Sequence, residues 1–247
     1  MSQRRLIDAV LAQGFCVDRD QARQLILAGE IRVNNHQATQ PSAFVRRDAL
    51  LARVDSRQPV SRAGQKLTWA LTEWRIPVEG KIVADIGAAA GGFTECMLER
   101  GAIRVYAIER GKGQLAWKLR QDARVVVMED TSILEGPLLP ECVGLAAIDV
   151  SWTSLKRALP HVAPLLAPGA DVIALIKPNY ELQDPDKLVE GVLVDDALRN
   201  TVVEDVLAWM TANGWQIRAT MVSPITGDGG NVEWLVRLLY NGSLGHQ

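Results

Sequence analysis

The segment ADIGAAAGGFTECML, residues 84–98, carries the densest chemical signal in the chain. It runs out of an apolar stretch into a helical pattern, with Asp85, Gly87, Gly91 and Gly92 around the turn. Glycine lets backbone approach a ligand closely, and the first amides of a helix are free to meet a carboxylate. The spacing is G-x-x-x-G-G rather than the G-x-G-x-x-G of dinucleotide sites. That favours a ligand with no pyrophosphate to cradle, S-adenosylmethionine above all. Glu109 ends the next apolar run, where an acid can accept hydrogen bonds from ribose hydroxyls, and Asp130 follows the third run. Valine at position 91 is expected to fill the methionine end of such a site. The methyl of S-adenosylmethionine is already electrophilic, so the remaining work is to align a nucleophile and remove its proton. Base N-methylation usually presents Asn/Asp-Pro-Pro-aromatic at the fourth strand. Here the position reads Asp149-Val150-Ser151-Trp152, which points to an oxygen nucleophile.

Residues of this kind need a sheet to hold them. Apolar runs at 82–86, 105–108, 125–128, 144–148, 172–176, 217–222 and 232–239 alternate with helical patterns, notably at 93–100, 113–120, 153–166 and 196–212. Such alternation predicts an α/β fold with a seven-stranded, mostly parallel, Rossmann-like sheet covered on both faces. The last two runs are separated only by PITGDGGN and should form an antiparallel hairpin at one edge. Residues 1–58 read differently. Helical spacing over 4–13 stops at Gly14, and a second helix over 19–28 has Asp18 as its N-cap. A small hairpin or sheet follows from IRV, Asn34-Asn35 and the stretch 50–54. The linker is expected at 55–61, giving an α+β unit over 1–58 and a catalytic unit over 59–247.

The net charge of -2 hides an uneven distribution. The first 58 residues hold 9 basic and 6 acidic side chains, and every base there is arginine. Arginine's planar fork suits phosphate, so Arg4, Arg5, Arg19, Arg23, Arg32 and, beyond the linker, Arg62 are candidate RNA contacts. Cys16, Cys96 and Cys142 have no metal-like spacing, and His36, His161 and His246 form no cluster, so no metal is expected. With reduced thiols, no secretory leader in residues 1–20 and no long uncharged apolar run, a cytoplasmic protein without a membrane partner is expected. The sequence leaves the oligomeric state open.

Several motifs occur in the order of a known family. RLIDAVLAQGFCVDRDQARQLILAGEIRVN resembles an S4 RNA-binding domain, and SRAGQKL, DIGAAAGGFTE, GQLAWKLR, DVSWTSL, IKPNYE and GNVEWLVRL follow in register. Together they resemble the TlyA family, often labelled haemolysins, whose catalytic domain is similar to FtsJ-type ribose methyltransferases. The resemblance implies 2′-O-methylation of RNA, ribosomal RNA or a ribosomal subunit being the implied partner. It implies a Lys-Asp-Lys-Glu tetrad at Lys66, Asp149, Lys177 and Glu233, with Lys177 handling the proton and Asp149 also reaching the cofactor's amino group. The implied cofactor turn is Gly87, Ala88, Gly91, Gly92 and Phe93. The chain departs from the family pattern at Ala89-Ala90, where Ser-Thr is usual, at Glu109 in place of Asp, and at Ala63, Arg110 and Lys112. Those departures keep open an RNA-binding protein whose fold does not turn over. The family label raises a cytolysin as a third reading.

Overall fold

The computed structural model describes residues 3–27, 29–34, 36–38, 40–53 and 60–239. Its N-terminal part comprises β1 (Gln3–Arg5), α1 (Leu6–Ala12), α2 (Arg19–Leu27), β2 (Ile31–Val33), β3 (His36–Ala38), β4 (Phe44–Arg46) and β5 (Leu51–Arg53). Both helices are amphipathic. Leu6, Ala9 and Val10 of α1 and Ala22, Leu25 and Ile26 of α2 share one buried cluster with Ile31, Val45 and Leu51. The backbone N–H of Gln21 donates to Asp18 Oδ1 at 2.7 Å, so Asp18 caps α2 as expected. The first helix begins later than its apolar spacing suggested. Gln3–Arg5 pair antiparallel with β4, which places Arg4 and Arg5 on a strand. Strand β2 lies between β3 and β5. Asn35 and most of the expected linker fall outside the described residues.

The rest of the chain comprises α3 (Ala63–Glu73), β6 (Ile82–Ile86), α4 (Gly92–Glu99), β7 (Arg104–Ile108), α5 (Trp117–Arg120) and β8 (Val125–Met128). It continues with β9 (Val143–Ile148), α6 (Leu155–Val162), β10 (Leu166–Ile176), α7 (Pro178–Glu181), α8 (Asp196–Ala212), β11 (Gln216–Val222) and β12 (Trp234–Leu239). The seven strands run in the order β11-β12-β10-β9-β6-β7-β8. Strands β6 to β10 are mutually parallel, and β12 is antiparallel to both β10 and β11. The closing hairpin is at one edge, with the last strand on its inner side. After β8 the chain returns to place β9 on the other side of β6. The crevice between the carboxyl ends of β6 and β9 is therefore the switch point where α/β folds bind ligands.

Side chains alternate across the sheet with period two. Ala84 and Ile86 enter the apolar cluster under α6 and α8, while Val83 enters the cluster under α3 and α4. Two helices are shorter than their patterns suggested. The Glu129 carboxylate accepts the backbone N–H groups of Gly113, Gln114 and Leu115 at 2.8, 2.8 and 3.0 Å, making residues 113–115 a turn and delaying α5 to Trp117. Helix α6 ends at Val162, because Ala163–Leu165 tighten into a 3₁₀ turn and Leu166 already belongs to β10.

Candidate active site

The turn after β6 depends on two left-handed glycines. Gly87 has φ +85°, and a Cβ there would lie 2.3 Å from the Asp149 carbonyl oxygen, because β9 approaches at that point. Gly91 has φ +100°, and its Cβ would lie 2.2 Å from Leu119 Cδ1 and 2.8 Å from Leu115 Cδ1. A side chain at 91 would therefore strike the leucines beneath the turn, whereas the sequence had placed it in the methionine site. The turn is tied outward as well. Ala116 N–H donates to the Ala90 carbonyl at 3.0 Å, and Glu109 accepts from Ala89 N–H at 2.9 Å and Gly111 N–H at 2.6 Å. Glu109, immediately past β7, thus braces the turn while lining the larger cavity.

Two contiguous cavities of about 310 and 800 Å³ open along the carboxyl ends of the strands and share Gly87, Ala89, Asp149 and Ser151. Asp85 forms part of the floor of the smaller one and has no exposed surface. Thr94 donates its N–H at 2.8 Å and its hydroxyl at 2.6 Å to Asp85 Oδ2. Oδ1 has no partner among the described residues. Burial, outweighing those two bonds and reinforced by Asp149 and Glu109, pushes the Asp85 carboxyl up to about 7.

All four tetrad candidates line the smaller cavity, as two lysine–carboxylate pairs. Lys66 and Glu233, 167 residues apart, meet at 2.5 Å and are almost fully buried. Lys66 is carried by α3, and Glu233 immediately precedes β12. Burial raises the Glu233 carboxyl above the usual range even with Lys66 beside it. Deleting one partner of such a pair leaves an uncompensated buried charge, at a cost of about 3–5 kcal/mol. Lys177 and Asp149 immediately follow the adjacent strands β10 and β9, and this places Lys177 Nζ 2.5 Å from Asp149 Oδ1. Lys177 also donates to Ser151 Oγ at 3.1 Å and sits 5.8 Å from the centroid of the Tyr180 ring. Burial alone would lower the Lys177 ammonium, but Asp149 and Glu233 hold it above its ordinary value.

Gly87, Ala88, Gly92, Phe93 and Arg62 also line the smaller cavity, and Glu109 lines the larger. The structure brings Asp130 to neither. Its exposed side chain pairs with Lys112 at 2.8 Å. Arg110 is on the wall of the larger cavity, as is Trp152, which is 85% exposed and packs at a tilt against Tyr180 with ring centroids 5.4 Å apart. Arg5, Arg19, Arg23 and Arg32 are solvent-exposed, Arg19 in an ion pair with Asp8, and Arg4 is half-buried. Sequence reasoning missed Thr94, Ser151 and Glu181. Thr94 had a usable signal, a hydroxyl in the first turn of the helix that follows the glycines. Among the described residues no helix is long and apolar enough to cross a membrane.

Residues 59–240 match the FtsJ-like methyltransferase family and residues 4–51 match the S4 domain. The chain is 38% identical over 245 residues to the 16S/23S rRNA (cytidine-2′-O)-methyltransferase TlyA of Mycobacterium tuberculosis, covering 96% of this chain and 91% of that one. It is 35% identical over 238 residues to Hemolysin A of Brachyspira hyodysenteriae, covering 95% and 99%. A solved Streptococcus thermophilus structure named as a hemolysin superposes with a TM-score of 0.72 at 34% identity, covering 98% of this chain and 90% of that one. The chain therefore belongs to the TlyA family, an S4 domain followed by an FtsJ-like methyltransferase domain.

Proposed function

We propose that this protein transfers the methyl group of S-adenosylmethionine to a ribose 2′-hydroxyl of ribosomal RNA. The observation that carries the reading is the convergence of two lysine–carboxylate pairs on one cavity beside a glycine turn. The cavity suits the cofactor. Asp85 turns an unpaired carboxylate oxygen into a buried wall, an acceptor for an ammonium, and Glu109 stands where ribose hydroxyls would need one. Gly87 and Ala88 would hold the methionine end. When bound, S-adenosylmethionine supplies a methyl group on a sulfonium centre.

The protein's own residues do the rest. Lys177, oriented by Asp149 and Ser151, takes the hydroxyl proton in its uncharged form. Its raised pKa makes that form scarce at neutral pH, growing about tenfold per pH unit. Lys66 and Glu233 line the same cavity and hold the ribose. Arg62 at the cavity and the exposed arginines of residues 4–32 give the RNA backbone its contacts.

The test is transfer from labelled S-adenosylmethionine to naked ribosomal RNA and to each subunit, with the product mapped by resistance to alkaline cleavage. Label at one or a few 2′ positions is the expected result. Label on a base, or tight cofactor binding without any transfer, would overturn the reading.

A further inference from the structure

Helix α7 has only four residues, too few to hold its own geometry, since an isolated turn of helix is unstable in water. Yet Lys177, at its N-cap position, must be held against Asp149. The structure ties α7 to the segment 149–154 along its whole length. At the front, Lys177 meets Asp149 at 2.5 Å and Ser151 at 3.1 Å. In the middle, Trp152 takes φ +63°, rare for a non-glycine residue, and its ring packs at a tilt of 36° against Tyr180. At the back, Glu181 accepts the Ser154 hydroxyl at 2.5 Å and the Leu155 N–H at 2.7 Å.

Simple capping of α6 does not account for the Glu181 contacts. Ser154 already caps α6 through its own side chain, accepting Lys156 N–H at 3.0 Å. Glu181 comes from another element, the one that carries Lys177. Its carboxylate bonds the residues that begin α6, so it closes the far end of a clamp whose near end is the reactive pair. Its side chain is half-buried, and that burial raises its carboxyl.

We propose that Glu181 is a positioning residue for methyl transfer. From the back of α7 it fixes segment 149–154, and through it the separation of Lys177 and Asp149. This rests on the methyl-transfer role proposed above.

The test compares Glu181→Ala and Glu181→Gln in the full chain. It measures kcat and KM for ribosomal RNA, calorimetric affinity for S-adenosylhomocysteine, and hydrogen exchange of residues 149–156. Glu181→Ala should lower kcat by at least ~10-fold, because a misplaced reacting group can cost up to ~100-fold. KM and ligand affinity should stay within ~3-fold, the mark of an interaction felt in the transition state. Exchange over 149–156 should accelerate. Glu181→Gln keeps a carbonyl for Leu155 N–H and should recover much of the rate.

Parental kcat in a folded Glu181→Ala protein overturns the proposal. So does a fall in kcat, KM performance and ligand affinity together that glutamine does not relieve, since that marks a merely structural role. If Glu181→Ala does not fold, Ser154→Ala removes the other half of the contact, and parental kcat in that variant overturns the proposal. If the parent transfers no methyl, the functional reading fails separately. Exchange then decides the clamp, and unchanged exchange over 149–156 in Glu181→Ala refutes it.

Discussion

Replacing Asp85 by asparagine should gain stability relative to the parent as pH rises, ending more stable above about pH 7, while weakening the cofactor site. In the folded protein the Asp85 carboxyl is pushed to about 7 from the 3.8 of a free carboxyl. A raised acid pKa means that the stability this group lends is full below pH 3.8 and is lost as pH rises through about 7. The gap of about 3 pH units, at about 1.4 kcal/mol each, makes the ionised form cost about 4 kcal/mol above neutrality.

Asparagine keeps a carbonyl for both Thr94 donors and carries no charge. Its amide would turn into the cavity where Oδ1 has no partner, at a cost of about 1–3 kcal/mol that does not vary with pH. The pH-dependent part is therefore the clean observable. From about pH 5 to about pH 7 the stability of Asp85→Asn relative to the parent should improve by about 2 kcal/mol, and then level off. Urea unfolding of both proteins across that range measures it. A relative stability that is flat with pH would refute the claim that Asp85 is a desolvated, titrating carboxyl. Calorimetry on the same variant should show S-adenosylmethionine affinity reduced at least ~10-fold, because an amide cannot attract an ammonium as a carboxylate does.

Lys177→Ala should retain cofactor binding and reduce transfer by at least ~100-fold, and Lys177→Arg should not restore it, since guanidinium does not give up its proton. In the parent, log kcat should climb with near-unit slope from about pH 7 to about pH 9, and a flat profile would remove Lys177 as the proton acceptor. Gly91→Val should lower thermal stability by several degrees as well as cofactor affinity, because its side chain collides with Leu115 and Leu119; an unchanged melting temperature would refute that contact. Removing residues 1–58 should leave cofactor affinity nearly intact while RNA affinity and its salt dependence fall sharply; RNA binding as tight as that of the whole chain would reassign the arginines.

Much of the architecture was legible from residue order. Strand β6 alternates toward two different cores, and the runs that became β7 to β10 are short, apolar and bounded by turns, so local period and punctuation suffice to place them. Asp149 and Lys177 were legible as strand-end residues for the same reason. The errors came where a distant side chain overrode a local pattern. Residues 113–115 have helical spacing, yet Glu129 captures their amides. Arg4 and Arg5 lead into a helix, yet Phe44–Arg46 pair with them as a strand.

Sequence by itself thus determined which residue types stand at the ends of which strands, because alternation and turn chemistry are encoded within about ten neighbouring positions. The tertiary structure alone decided that Lys66 faces Glu233 across 167 residues and that Asp130 turns to Lys112 and away from the cavity. It alone decided that Gly91 looks onto leucines, and that Glu181 bonds Ser154 and Leu155. Such pairings depend on sheet order and on how deeply each charge is buried. Both are set by contacts between segments far apart in the chain, which no local spacing records.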